Sequence, residues 1–208
     1  MFKASYIKFL WNSVNSHGVH SPFVYNFVAH GFYTKQQNVE VDRNAAASGL
    51  NKAALTTLFK TIRYFKSYKL LVLGENTTLV TETIRTIAED LNAKIWFYSP
   101  IVPVPGGVDL AYLIDNSASL LIALKELRPN INNNSVCVVA NIHQTPEMEA
   151  AWEAIKKDPN VTVTIDTYHL GLVFFRREQV KQHFIIRPYK SAMLDVVLGI
   201  RNLWGLIG

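Results

Sequence analysis

Four short, uninterrupted apolar runs constrain the fold of this chain more than any other feature. They are residues 70–73, 95–98, 110–114 and 136–140, the last of which follows Ser135 in a predicted strand over 135–140. A strand buried on both faces has this appearance, because neither of its faces needs polar residues. Most of the segments between the runs have helical periodicity, which is typical of crossovers between parallel strands. We therefore expect the four runs to be neighbouring parallel strands of one sheet.

The last third of the chain has a different pattern. A predicted helix over 146–157 is followed by an alternating strand at 161–165, and then by strands at 170–175 and 183–187 with only short connections. Short connections favour antiparallel pairing. The sequence therefore predicts an α/β fold with a doubly wound, Rossmann-like sheet, mostly parallel and finished by an antiparallel hairpin at its C-terminal end.

Helical segments flank this sheet at both ends of the sequence. Two short helices are predicted within residues 1–33, the second beginning at Ser21-Pro22, an N-cap followed by proline in the first turn. We divide the chain into an N-terminal helical extension (1–44), an α/β domain (45–190) whose first helix spans 45–66, and a C-terminal apolar helix (191–208).

The terminal helices are expected to pack on the domain or on a second subunit, because apolar side chains recur at helical spacing. A homo-oligomer through these helices follows from the second possibility. Contact of the C-terminal segment with a membrane surface is the competing interpretation. The side chains concerned are Phe9, Trp11, Phe23, Phe27, Leu198, Leu203 and Trp204.

Composition narrows the cellular setting and the partners. The single cysteine, Cys137, lies within an apolar run, so no intrachain disulfide can form and a buried thiol in a reducing, cytoplasmic setting is expected. Neither a signal peptide nor a membrane-spanning segment is recognisable. The net charge of +5 comes from scattered lysines and arginines, which argues against a nucleic-acid surface.

A pair of histidines, His17 and His20, lies between the two N-terminal helices. Two histidines three residues apart can contribute to a metal site, but no cysteine or carboxylate is close to them in the sequence. A capped turn between amphipathic helices explains the stretch with fewer assumptions, so we predict no metal site.

Three stretches of the sequence resemble one protein family. They are HGVHSPFVYNFV (17–28), LFKTIRYFKSYKLLVLG (58–74) and the segment from SVCVVANIHQ to QHFIIR (135–187). All three are similar to an O-methyltransferase-like subgroup of the class I S-adenosylmethionine-dependent methyltransferases. The resemblance implies the doubly wound sheet already expected and S-adenosylmethionine as cofactor. Fold and activity separate easily, so the site residues need their own examination.

The resemblance places the cofactor at the ends of the first two strands, where this sequence departs from the family pattern. Val72 stands in place of an acid, Gly74 remains, and Glu75 comes one position late. Thr77-Thr78 replace a second glycine of the turn, and Tyr98 stands where an acid pairs with the ribose hydroxyls. Residues 100–107 are too few for the helix, strand and loop that the family uses near the adenine.

At the ends of the next two strands, the metal-binding and catalytic positions also differ. Asp115-Asn116 and Ala140-Asn141 replace carboxylate-rich turns, so metal-assisted transfer is not expected. His143 and Asp115 remain as candidate catalytic bases, and a structural role for His143 stays open beside this one. The residues that the resemblance assigns to cofactor binding are Gly74, Glu75, Tyr98, Asp115 and Asn116.

Together these observations predict an S-adenosylmethionine-dependent methyltransferase-like protein of O-methyltransferase descent with weak or lost cofactor binding. The expected dissociation constant is weaker than about 100 μM. The alternative is a non-catalytic interaction module or small-ligand-binding module on the same scaffold.

Overall fold

In a computed structural model, which describes residues 4–34, 51–74, 77–90, 94–99 and 102–204, the chain folds around a seven-stranded sheet. The strands are β1 (Lys69–Gly74), β2 (Trp96–Tyr98), β3 (Val108–Ile114), β4 (Ile131–Ala140), β5 (Val163–Asp166), β6 (Leu170–Phe174) and β7 (Gln182–Ile185). The helices are α1 (Ala4–Asn12), α2 (Pro22–Phe27), α3 (Lys52–Phe65), α4 (Thr77–Asp90), α5 (Ser117–Glu126), α6 (Pro146–Lys157) and α7 (Ala192–Trp204).

The strand order is β2-β1-β3-β4-β6-β5-β7. Strands β1 to β4 are parallel neighbours, and β5 and β6 form the antiparallel hairpin. The predicted fold class, a doubly wound Rossmann-like sheet with an antiparallel hairpin at the C-terminal end, is therefore confirmed.

The third of the closely spaced C-terminal strands departs from the expected pairing. Strand β7 runs parallel to β5, so the expectation of antiparallel pairing is wrong for this strand. The chain leaves β6, passes the end of β5 and pairs on the far side of β5. Because β5 and β6 are antiparallel, a short reversal after β6 makes β7 parallel to β5.

Helix α3 is shorter than the predicted helix over 45–66, whose first residues, 45–50, lie outside the described part of the chain. The Asn51 side chain caps α3 by accepting a hydrogen bond from the Ala54 N–H (2.7 Å). At its other end Lys66 adopts a left-handed conformation with φ of 49°.

Helix α2 belongs to the same hydrophobic core as the sheet, and Phe9 of α1 is buried next to Tyr168. Ser21 caps α2 as predicted, Pro22 occupies the first turn, and the helix continues as a π-helical turn over Val28–Phe32. Phe9 and Phe27 are buried and Phe23 packs against the core. Helices α2, α3 and α4 cover one face of the sheet, and α5 and α6 cover the other.

Two of the predicted packing residues need separate comment. Trp11 is 55% exposed, so about half of its side chain remains accessible, and contact with a partner stays a prediction. In α7, Leu198 is buried, whereas the side chains of Leu203 and Trp204 lie outside the described part of the structure.

The short connection between β2 and β3 crosses the face that α5 and α6 cover. Val104 is buried there and donates its N–H to Asn130 Oδ1 (2.8 Å), while Lys69 Nζ donates to the Pro105 carbonyl (2.7 Å). Residues 102–107 contain neither helix nor strand, in agreement with their number. Trp96 and Tyr98 of β2 remain 55% and 36% exposed.

Cys137 lies at the centre of the sheet and is fully buried, as expected, and burial raises the pKa of its thiol. Among the helices of the described residues, none combines the length and apolar character needed to cross a membrane.

Candidate functional site

The carboxyl ends of β1, β2, β3, β4, β5 and β7 meet at one edge of the sheet, because these six strands run in the same direction. Open α/β sheets bind ligands outside this edge. The residues that follow the strands there are the ones whose chemistry decides what the protein can bind.

A cavity of about 500 Å³ lies at this edge beside the ends of β4 and β5. Its walls come from α1, the cap of α3, the loop after β4 and the turn between β5 and β6. The lining residues are Tyr6, Asn51, Asn141, His143, Gln144, Tyr168 and His169. We refer to this space as the His143 cavity.

The imidazole of His143 lies between two carboxylates. Its Nε2 is 2.7 Å from Asp166 Oδ2, and its Nδ1 is 2.9 Å from Glu149 Oε1. Burial of the ring opposes its charged form, but the hydrogen bonds and charges of Asp166 and Glu149 outweigh burial and raise the pKa of His143. Because carboxylates accept hydrogen bonds at both nitrogens, the ring in this arrangement is an imidazolium that donates twice.

Local structure fixes both carboxylates. Asp166 is the last residue of β5, is 6% exposed, and accepts the N–H of Tyr168 through its Oδ1 (2.8 Å). Glu149 lies in the first turn of α6, which Thr145 caps by accepting the N–H of Met148 (3.2 Å). The histidine is therefore held by one buried and one half-exposed acid.

Two residues of the cavity wall have left-handed backbone conformations. Asn141 has φ of 57° and Tyr168 has φ of 74°. Asparagine tolerates this region, whereas a bulky residue there is strained by about 1–2 kcal/mol. The Tyr168 ring stacks on His143 with centroids 5.3 Å apart, and its hydroxyl is hydrogen-bonded to Ser5 Oγ (3.0 Å). Strained residues of this kind cluster at functional sites.

A second imidazole, that of His169, lies in the same cavity, and its pKa is shifted in the opposite direction. Asn51 Nδ2 donates to His169 Nδ1 (2.8 Å), and the His169 carbonyl accepts the N–H of Asn141 (2.7 Å). Burial, followed by the nearby charge of His143, lowers the pKa of His169. The cavity thus contains one protonated and one neutral imidazole together with the side-chain amides of Asn51, Asn141 and Gln144.

The predicted site residues do not come together in one place. His143 lines the cavity just described. Gly74 and Asp115 line a different groove, of about 330 Å³, between β1 and α5. Tyr98, on the edge strand, lines neither space, and Glu75 lies outside the described residues.

Three of the residues assigned to the cofactor have structural roles. The Asn116 side-chain oxygen caps α5 by accepting the N–H groups of Ala118 and Ser119 (both 3.1 Å). Asp115 Oδ1 accepts the N–H of Asn116 (2.8 Å). Gly74, with φ of 109°, lies so close to β3 that an added Cβ would be 2.0 Å from the Ile114 carbonyl oxygen.

Sequence reasoning missed most of the residues around His143. Asp166 had a recognisable signal, an acid ending an alternating strand at the carboxyl edge. Tyr6, Asn51 and Tyr168 had none, because they reach the cavity only through tertiary packing. In the described portion of the chain, no three His, Cys, Asp or Glu side chains are grouped so that they could hold a metal ion.

Comparison of the sequence with known protein families and with curated proteins finds no match. Among solved structures, the fold is similar to that of a "putative O-methyltransferase from Klebsiella pneumoniae", with 11% identity, a TM-score of 0.43, and coverage of 68% of this chain and 91% of the other. It is also similar to the O-methyltransferase TomG from Streptomyces achromogenes, involved in tomaymycin synthesis and solved in complex with S-adenosylmethionine, with 11% identity, a TM-score of 0.44 and the same coverage. We assign no family on similarities of this size.

Proposed function

We propose that this chain is a methyltransferase-like α/β protein of O-methyltransferase descent that binds S-adenosylmethionine weakly and uses the His143 cavity to bind a small polar ligand. The proposal rests on a difference between the polar residues on the two sides of the carboxyl edge. The polar groups that line the His143 cavity come from several elements of the fold, whereas Asn116 and Asp115 bond to their own turn, although Asp115 also lines the second groove.

Weak cofactor binding is supported by what stands at the ends of β1 and β2. Val72 packs against the core, Tyr98 has a single hydroxyl in place of a carboxylate, and the Asn116 oxygen is occupied by α5. Each missing charge-assisted hydrogen bond costs about 1.5–3 kcal/mol of binding free energy. Two or three such losses lower affinity by several powers of ten.

The chemistry of the cavity defines the ligand class. The His143 ring already donates to two acids, so its nitrogens are not open to a ligand in this state. The side chains of Asn141 and Gln144 offer both donors and acceptors, and the aromatic rings of Tyr6 and Tyr168 offer apolar surface. A small molecule with both kinds of hydrogen-bonding group and a planar part fits this set.

Retained methyl transfer is the second candidate. It is favoured by the two imidazole rings of the cavity, because one of them, His143, is hydrogen-bonded to the acids Asp166 and Glu149. S-adenosylmethionine, if bound, would supply the methyl group, and the ring of His169 would be the more available acceptor for the proton of a substrate hydroxyl. His143 could accept this proton only after passing one of its own to Asp166 or Glu149. Catalytic roles for His143 and Asp115 stay predictions, and Asp115 lies in the other groove.

Titration calorimetry with S-adenosylmethionine and S-adenosylhomocysteine tests the proposal. We expect dissociation constants weaker than about 100 μM for both, which corresponds to about 5.5 kcal/mol of binding free energy. A low-micromolar constant for either compound would contradict the proposal, and its loss in Asp115→Asn would restore the active-enzyme interpretation.

Ring ¹H–¹³C resonances of His143 and His169 provide a second readout that does not depend on activity. Small amides, nucleobases and sugars that bind the cavity should shift both signals in the wild type and lose affinity in His143→Gln. Arg85→Gln, a change in an exposed ion pair outside the cavity, is the control.

A further inference from the structure

The guanidinium group of Arg187 is almost completely buried and only partly hydrogen-bonded. Arg187 comes two residues after β7, at the carboxyl edge, and is 2% exposed. Its Nη2 donates to Asp195 Oδ1 (2.6 Å), but its Nε and Nη1 have no hydrogen-bond partner. Buried N–H groups of a charged side chain are nearly always paired, so two orphaned nitrogens on one arginine require an explanation.

The Tyr33 hydroxyl is a second buried group for which no well-aligned hydrogen bond is found. The charge of Arg187 and the backbone of Ser16 both act on it. Burial raises the pKa of Tyr33 to about 12, Arg187 acts against this rise and Asp195 adds to it. The phenol is therefore a neutral donor. Lys190 Nζ lies 5.5 Å from the centre of the Tyr33 ring, so a second cation is present.

Asp195, in the first turn of α7, is the acid that pairs with Arg187. Its Oδ1 accepts both from Arg187 and from Asn15 Nδ2 (3.0 Å). The Asp195 side chain is 35% exposed, whereas that of Arg187 is 3% exposed. The carboxylate is thus the more exposed end of the ion pair, and it bonds to only one of the three guanidinium nitrogens.

We propose that Arg187 anchors an oxyanion-binding site, with Tyr33 and Lys190 as further donors, and that Asp195 is an internal carboxylate that competes with the ligand. The unpaired groups are donors around a positive charge, so the matching ligand is a carboxylate or a phosphate group. None of these four residues lines the His143 cavity, and the inference is independent of the function proposed there.

A purely structural ion pair gives different expectations. In that case a change of either partner lowers stability, and neither change creates affinity for an anion. If Asp195 competes with a ligand, loss of its charge strengthens anion binding although it weakens the fold. Changes at the two ends of the same ion pair then have opposite effects on binding.

The test is titration of the full chain with inorganic phosphate, and separately with acetate, at pH 7. Asp195→Asn should bind at least about tenfold more tightly than the wild type, because a competing charge-assisted interaction is removed. Arg187→Gln should lose binding, and Arg85→Gln should bind like the wild type. Tighter binding of phosphate than of acetate identifies a phosphoryl ligand, and the reverse identifies a carboxylate.

The ¹H–¹⁵N signal of Arg187 Nε reports the contact directly and should shift on addition of the anion. If Arg187→Gln does not fold, the other two variants test the proposal. Asp195→Asn should still bind the anion more tightly than the wild type, and Tyr33→Phe should bind it several-fold more weakly. The proposal is overturned if Asp195→Asn binds neither anion, if Arg187→Gln binds as well as the wild type, or if only ordered water contacts the two nitrogens under saturating phosphate.

Discussion

The two halves of the carboxyl edge contain polar residues at matching positions but use them differently. Beside β1 and β3, Asp115 and Asn116 bond to backbone groups one to three residues away. Beside β4 and β5, His143 bonds to Asp166, 23 residues away, and Tyr168 bonds to Ser5, 163 residues away. Polar side chains that hydrogen-bond to the backbone of their own turn stabilise that turn. Polar side chains from distant parts of the sequence that hydrogen-bond to one another can line a cavity.

This difference is the reason for placing the proposed ligand site on the β4 side of the edge. A strained tyrosine and a protonated histidine between two acids stabilise the fold less than an apolar wall of the same shape would. On the β1 side, the polar groups of the described residues Asp115 and Asn116 have an ordinary structural explanation. If this contrast is right, changes on the β1 side affect stability alone, whereas changes on the β4 side also affect ligand binding. The expected effects are given from the largest to the smallest.

Gly74→Ala should lower the free energy of unfolding by about 3 kcal/mol or more, because a Cβ would collide with the Ile114 backbone at a φ that disfavours side chains. Gly106→Ala is the matched control. Gly106 also has positive φ, 76°, but an added Cβ would meet only Lys69 Nζ at 3.6 Å, so a loss of about 1 kcal/mol is expected. Urea denaturation measures both, and equal losses would contradict a packing role for Gly74.

Asp166→Asn should lower stability by about 2 kcal/mol at pH 6, because it removes a buried partner of the His143 imidazolium. The raised pKa of His143 means that its contribution is complete below its ordinary pKa of 6.5 and is lost as pH rises through the folded-state value. The variant should therefore lose stability mainly at low pH and show a flatter profile above pH 6.5.

Glu149→Gln is the control for this pH profile, since Glu149 is 46% exposed and its pairing is screened by solvent. We expect less than about 1 kcal/mol at pH 6. Denaturation curves between pH 5 and 8 separate the two variants. Equal effects would mean that the buried acid has no special role.

The centre of the sheet could be predicted from the sequence because burial on both faces leaves an apolar pattern within the central strands. The apolar runs at 70–73 and 135–140 mark β1 and β4 without any knowledge of partners. The direction of β7 could not be predicted, because it depends on which side of β5 the chain reaches.

The candidate site was less predictable for a physical reason. His143 has a recognisable position after a strand, but its partners Asp166 and Glu149 become neighbours only after β5 and α6 have packed. Asn116 had a clear local signal as an asparagine directly before a helix. The family resemblance assigns Asn116 to cofactor binding instead, although its role as an N-cap explains the residue without a cofactor.

Asn116→Ala should lower stability by about 1 kcal/mol, the usual effect of losing an N-cap, without changing the titration with S-adenosylmethionine. Asn116→Asp keeps an acceptor at the cap and should restore stability. If Asn116→Ala instead weakens a measurable affinity for the cofactor while leaving stability unchanged, Asn116 belongs to a binding site and the contrast between the two sides fails.

Asn141→Gly should change stability by no more than about 0.5 kcal/mol, because glycine adopts a φ of 57° without strain and the loss of the amide leaves the backbone bond to His169 intact. Asn141→Ala removes the same amide but places a methyl group in the left-handed region, so it should be less stable than Asn141→Gly by about 1 kcal/mol. Thermal and urea denaturation give these differences, and the His169 ring signals report ligand binding. If the Asn141 side chain serves the cavity, both variants lose ligand affinity to the same extent although their stabilities differ. A loss of more than 1 kcal/mol in Asn141→Gly would instead assign the side chain to the fold and remove it from the proposed site.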